Sequence, residues 1–460
     1  MATTRSKAEA LAAFAADLTW ADIPPEVRER AKLQILDALG TGIAATAYPF
    51  AAKAVAGVRA LGGSGECSVI GQSHRLGARD AALANGMLMH GLDFDDTHLG
   101  SIIHASVACL PAALAVGEAQ RASGRDMLVA YVAGMETAIR IGLAANGAFH
   151  HAGYHATALA SHFSSAIVAG KLMGLDARAL TMAQGIAGSS AAGLQVFLEE
   201  GAWTKRFHPG WGAVAGITAA TLAENGFVGP TRPYEGKFGL FETHFQEHLG
   251  DTDIDKLDQG LGRHWVLAET AIKPYPVCHF IHGAADAAIE LAHEIDVGDI
   301  VAVEALLPGP TLPIVAEPRE AKIVPTTDYE AKFSAQFVLA TCLTRGRFGL
   351  ADLRDEAFSD RELLDLAAKV TCKADPDSLF PAYFSGGVAV TTRDGKTRTR
   401  HVPVNSGAGE RMLDADGVSA KFGACAAMAI AADRAGQVRR IALSLEDHPA
   451  AALGEALRAG

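Results

Sequence analysis

The sequence predicts a mainly α protein: a large all-helical domain formed by both chain ends, with a smaller α+β domain inserted between them. Three observations carry that expectation. Alanine makes up 53 of the first 225 residues and 16 of the last 60, but only 21 of the 175 in between. Alanine is the strongest helix former and lets helices approach closely, so the two rich ends belong together and the poorer middle is built differently. Apolar residues at helical spacing dominate the first part, whereas β-branched runs with hairpin punctuation collect in the middle. At 460 residues the chain also has room for two or three domains. The expected division is 1–267, 268–402 and 403–460, with the alanine-free stretch 231–267 as the crossover.

The elements follow in order. Residues 1–20 carry an early helical pattern. Pro24 and Pro25 suit a helix start, and Val27, Ala31, Ile35 and Leu39 then recur every four residues on one face. Further helices are expected over 78–92, 105–120, 127–145, 157–172 and 177–194. In the insert, 388–392, the turn dipeptide Asp394-Gly395 and 397–402 read as a hairpin. Strands are also expected over 301–307 and 369–372, and helices over 284–294 and 331–343.

Composition excludes several function classes. Only 20% of residues are charged and 49% are apolar, which opposes disorder. A net charge of −12 opposes a generic nucleic-acid surface, because Lys and Arg supply most of that affinity. The apolar runs 105–117 and 210–223 fall short of the ~20 residues a membrane span needs. The N-terminal stretch holds Glu9 and Asp17 and no signal-peptide core, so a cytoplasmic protein that engages no membrane is expected. Six scattered cysteines without a CxxC pair show no disulfide framework and no structural zinc or iron–sulfur motif.

Four segments can carry chemistry. Seven of the 17 histidines fall between His90 and His162, and the focus is HGLDFDDTH at 90–98, followed by His104. Gly91 suits the end of a helix, leaving Asp93, Asp95 and Asp96 in a connection where buried carboxylates can have raised pKa values. The run equally fits an ordinary turn in which Asp95 and Asp96 cap a helix or face water. Asp-x-Asp-Asp is also a proton-donor motif of terpene cyclases, but the chain lacks their aromatic lining. A metal on Asp93, Asp95, Asp96, His98 and His104 is chemically feasible, yet no HExxH-like motif supports it, and no metal is expected. The second segment, His150 to Thr157, is a glycine-containing turn that opens a helix, where free N–H groups attract anions. The third, Trp203 to Gly212, sets Lys205, Arg206 and His208 among aromatics, fit for carboxylate capture or for a solvated basic turn. In the fourth, Pro274 and Pro276 hold an extended backbone that aims Lys273, unless it is a rigid connector with an exposed lysine.

Together, HGLDFDDTH, GYHAT at 153–157, WTKRFHPGW at 203–211, KPYPVC at 273–278 and AKFSAQF at 331–337 resemble the MmgE/PrpD family. That family includes 2-methylcitrate dehydratase, cis-aconitate decarboxylase and iminodisuccinate epimerase. The resemblance implies a helical domain with an α+β lid, usually in a homodimer, acting on small di- or tricarboxylates without a cofactor. Carried over by motif, it implies Asp93, His104, His155 and Lys273 as catalytic residues. Thr97, Tyr154, Lys205, Arg206 and His279 are then expected to bind substrate. Dehydration of a 2-methylcitrate-like acid is the leading expectation, with epimerisation of an iminodisuccinate-like acid and cis-aconitate-type decarboxylation behind it. A non-catalytic carboxylate-binding protein is the reading from a different class. Phe337 stands where the family commonly has Tyr, which removes one hydroxyl donor.

Overall fold

The first helices begin where the sequence offers a cap or a proline. In the computed structural model, which describes residues 5–459, Ser6 starts α1 (Lys7–Asp17) with a reciprocal capping box to Glu9. Pro25 and Pro49 take the first positions of α2 (Pro25–Ala45) and α3 (Pro49–Leu61), where a missing N–H removes no helical bond. The short antiparallel pair β1 (Ser64–Ser68) and β2 (Arg75–Leu76) follows, with no alternating pattern to announce it. Next come α4 (Ala78–Met89), α5 (Leu110–Ala119), α6 (Gly124–Ala145), α7 (Ala148–His151), α8 (Ala156–Leu172) and α9 (Ala177–Gly188). The first pass closes with α10 (Phe197–Glu200), α11 (Thr204–Glu224) and α12 (Leu240–Phe245).

Small residues set the helix crossings. α11 packs against α4, α8 and α9. A Cβ on Gly86 would lie 2.5 Å from the Gly210 Cα, and one on Gly212 would lie 2.3 Å from the Ser161 Cβ. Only glycine permits these approaches, so the Ala/Gly surplus is what lets three helices meet at close range. α6 is long and apolar enough to cross a membrane, but 94% of its apolar window is buried in the fold, as a core helix would be. Its buried Arg140 donates to the Gln259 and His264 carbonyls, and the Leu267 amide donates to Glu136 Oε1 at 3.0 Å. These bonds tie the alanine-free stretch 231–267 to the helical unit.

Several helix ends differ from expectation, and the helix expected over 331–343 is broken between the helices Asp328–Lys332 and Ala335–Arg345. α4 stops at Met89 and α5 starts at Leu110, because side-chain bonds in the intervening turns outcompete the helix. α9 stops at Gly188, and the next residues pair with the GYHAT turn: the His155 amide donates to the Gly193 carbonyl at 2.9 Å and the Gln195 amide to Gly153.

The second unit spans Ala271–Leu413. It holds α13 (His282–Ala292), β3 (Ile300–Leu307), α14 (Leu312–Val315), α15 (Arg319–Ile323), α16 (Asp328–Lys332), α17 (Ala335–Arg345) and α18 (Arg361–Ala367). Three strands complete it: β4 (Val370–Ala374), β5 (Gly386–Thr392) and β6 (Thr397–Val402). The sheet order is β4-β3-β5-β6, with β3 parallel to β4 and the other pairs antiparallel. Gly395, at φ 79°, makes the hairpin turn. The unit ends at Leu413 rather than at 402. The added loop is pinned within it: the Ile272 amide donates to the Gly407 carbonyl, and the Ser406 amide to Asp286 at 2.7 Å.

The chain then returns to the first unit through α19 (Ala415–Ala426), α20 (Ala432–Leu443) and α21 (Ala450–Leu457). α19 and α20 pack on α2, and α21 on α5.

Candidate active site

Between α4 and α5 the chain folds into turns whose polar side chains point inward. Asp93 adopts a left-handed φ of 52°, which a short polar side chain tolerates. Ile102 does the same at φ 53°, a strained choice for a β-branched residue two positions from His104. Gly91, expected to supply a helix-ending conformation, is required by packing instead: a Cβ there would sit 2.2 Å from the Phe50 ring. Asp95 and Asp96 are fully buried, so the solvated-turn reading fails. Asp96 accepts from the Ser106 amide at 3.0 Å and from its hydroxyl, and that hydroxyl meets Tyr131 Oη at 2.6 Å. Burial pushes the Asp96 carboxyl up to about 7 despite these bonds.

The predicted residues of this unit converge on Asp93. Lys205 Nζ lies 2.9 Å from Asp93 Oδ1, and His104 Nε2 lies 3.7 Å from the same oxygen. His104 Nδ1 donates to the Asp96 carbonyl at 3.0 Å, with Thr97 Oγ1 at 3.4 Å. The His104 amide donates to Thr157 Oγ1 at 3.0 Å, which fastens the turn to the start of α8. His155 precedes α8, and its Nδ1 lies 3.0 Å from His208 Nδ1 on α11. His155 and His104 ring centroids are 6.1 Å apart. Burial, then the neighbouring His208, Lys205, His90 and His104, hold His155 well below its usual pKa. Burial, followed by His90 and Lys205, lowers His208 to about 4. Both rings are therefore neutral near pH 7.

Other expectations land differently. Arg206 follows Lys205 on the helix and so faces another way; its guanidinium lies 4.1 Å from the Phe50 ring centroid, a cation–π contact. Both cations are buried, which removes the solvated-basic-turn reading. Pro209 inside α11 removes the hydrogen bond that the Lys205 carbonyl would otherwise accept. Tyr154 is half-buried with its ring 5.1 Å from His244. Lys273 and His279 belong to the second unit. Lys273 is 1% exposed, so it is no exposed connector residue, and Tyr275 beside it donates to Asp286 at 2.7 Å. His279 Nε2 lies 3.0 Å from Asn405 Nδ2.

Two trios could accept a cation: His90, His104 and His155, or Asp93, Asp95 and His104, each with donor atoms within 4.8 Å of one another. His98 and Asp96 are in neither, being bonded to Ser101 and Ser106. At Asp93 the Lys205 ammonium already supplies positive charge.

The sequence places His208 in the third segment without singling it out as a site residue, and the layer behind the site goes unmarked. His208 was legible, since it lies three residues after Lys205 on the same helix face. Lys421 was not: it reaches from α19 to Asp37 at 2.7 Å and donates to the Phe94 carbonyl at 2.7 Å, with no local pattern in the tail to announce it.

A buried ammonium–carboxylate pair flanked by neutral imidazoles defines an acid/base centre, and the class of protein it marks is an enzyme that moves protons. The sequence matches the MmgE/PrpD N-terminal domain over residues 9–250 and the MmgE/PrpD C-terminal domain over 275–447. The chain belongs to the MmgE/PrpD family, and at the family level it is a carboxylate lyase. A cis-aconitate decarboxylase-like protein, oryM, of Aspergillus oryzae is 28% identical over 450 residues, covering 94% of this chain and 92% of its own. Cis-aconitate decarboxylase of Aspergillus terreus is 28% identical over 453 residues, 94% and 92% of the two chains. The human cis-aconitate decarboxylase is 28% identical over 438 residues, 92% and 88%.

Proposed function

We propose that the chain is a cofactor-independent lyase that decarboxylates a small, cis-aconitate-like tricarboxylic acid by proton transfer beside a carboxylate. The observation that carries this is the buried contact of Asp93 with both Lys205 and His104, near neutral His155. The names of the relatives, similar over more than nine-tenths of this chain, favour decarboxylation over the dehydration first expected. In the proposed reaction Lys205 holds a substrate carboxylate. The C–C bond to a departing carboxylate breaks, CO2 leaves, and the electron pair passes into the conjugated unsaturated acid. Nearby cations stabilise the resulting charge, and a proton then ends on carbon. Asp93 orients His104, and His104 or His155 handles the proton. Lys273 enters this reading through its motif, and a homodimer through the family resemblance.

Dehydration of a 2-methylcitrate-like acid is the second reading. It would use the same neutral His155, since abstraction of a C–H proton starts from an uncharged base. Proton NMR of the protein incubated in D2O with EDTA and a panel of di- and tricarboxylates tests both. A terminal-methylene product with bicarbonate is expected. A vinyl product without bicarbonate indicates the dehydratase, and exchange without net loss an epimerase. Binding without any turnover would contradict the lyase reading and leave a carboxylate-binding protein.

A further inference from the structure

His90 is unused by the reaction above, yet it lies at the centre of the cluster. It is 1% exposed, and its Nδ1 lies 2.8 Å from Asp95 Oδ2, a residue with no exposed surface. The same Asp95 oxygen lies 3.4 Å from His104 Nδ1. The His90 ring is stacked on His155, with centroids 5.6 Å apart and planes 16° apart, and meets His104 edge-on at 4.8 Å. Its Nε2 is buried and has no hydrogen-bond partner among the described residues. A buried imidazole whose one nitrogen is tied to a carboxylate has a fixed tautomer. The carboxylate accepts, so the proton sits on Nδ1 and Nε2 presents a lone pair.

We propose that His90 and Asp95 form a positioning pair for the acid/base centre: Asp95 fixes the His90 proton on Nδ1, and the stacked His90 ring holds His155 in its working orientation. The inference rests on the lyase reading. The groups that face His90 are Asp95 and His104 from its own connection, His155 at the start of α8 and His208 from α11, and Lys205 of α11 acts in turn on His155 and His208. Asp37 of α2 lies close enough to Asp95 for the two carboxylates to repel.

Two measurements test it. Long-range proton–nitrogen NMR of histidine-labelled wild-type protein, without substrate, is expected to show His90 protonated at Nδ1; a proton on Nε2 overturns the proposal. The variants Asp95→Asn and His90→Gln are expected to lose kcat by about 100-fold while KM changes by less than about threefold. A raised KM with normal kcat overturns the proposal. Should a variant not fold, the wild-type tautomer still decides. Wild-type protein silent on the acid panel sinks the lyase reading, while the tautomer judges the pair separately.

Discussion

The behaviour of single residues here is set by burial more than by neighbours. Asp96 has no exposed surface, and its pKa of about 7 exceeds the value near 3.8 that it has unfolded. Folded protein therefore binds the extra proton between these values. The stability linked to it is fully present below about pH 4 and is lost as pH rises through about 7. Asp96→Asn should accordingly lose that pH dependence: its stability deficit against wild type, read by denaturant titration, shrinks from pH 5 to pH 8. His208 runs the other way. Its folded pKa of about 4 lies below the ordinary 6.5, so its contribution is complete above pH 6.5 and is lost as pH falls through about 4. His208→Asn should be less sensitive than wild type to acidification from pH 7 to 4. Lys205→Met leaves Asp93 buried with less compensation. It should cost about 3 kcal/mol of stability and at least about 100-fold in kcat/KM, read by chemical denaturation and turnover.

At the scale of elements, the site exists because α4, α8 and α11 can touch. Gly212 is where α11 meets Ser161 of α8, one turn and a half from His155 on one side and four residues from His208 on the other. Gly212→Ala pushes a methyl group to 2.3 Å from the Ser161 Cβ. A loss of about 1–3 kcal/mol is expected, with a fall in kcat as the two histidines separate; a melting temperature and turnover equal to wild type would refute the close-packing account. Much of this was legible. Alanine density and four-residue spacing located the helices, and motif order located Asp93, His104, His155 and Lys205. What was illegible was non-local. The bonds from Ser106 to Asp96 that break the helix expected from residue 105, and the pairing of Gly193 with His155 that ends α9 early, join positions with no shared pattern. Burial of Asp95 and Asp96 was equally hidden, because a run of three acids reads as surface until the packing is known.

At the scale of the molecule, the two chain ends make one unit, and the tail reaches the back of the site. Lys421 on α19 pairs with fully buried Asp37 on α2 and lies 3.9 Å from the Phe94 ring centroid. Lys421→Met should destabilise the protein by about 3–5 kcal/mol by leaving the Asp37 carboxylate without its ammonium, as a shift in the denaturation midpoint would show. The net charge of −12 belongs to the chain as a whole and says nothing against an anionic ligand, since Lys205 is buried in the cluster. Movement of a proton at carbon beside a carboxylate is the step this cluster is expected to carry out. Its most direct test is deuterium content at carbon in product formed from cis-aconitate in D2O, comparing wild type with folded His155→Gln and Lys205→Met. One deuterium per product, formed at least about 100-fold more slowly in both variants, is the predicted result. Equal rates in variants and wild type, or product without deuterium, would contradict it.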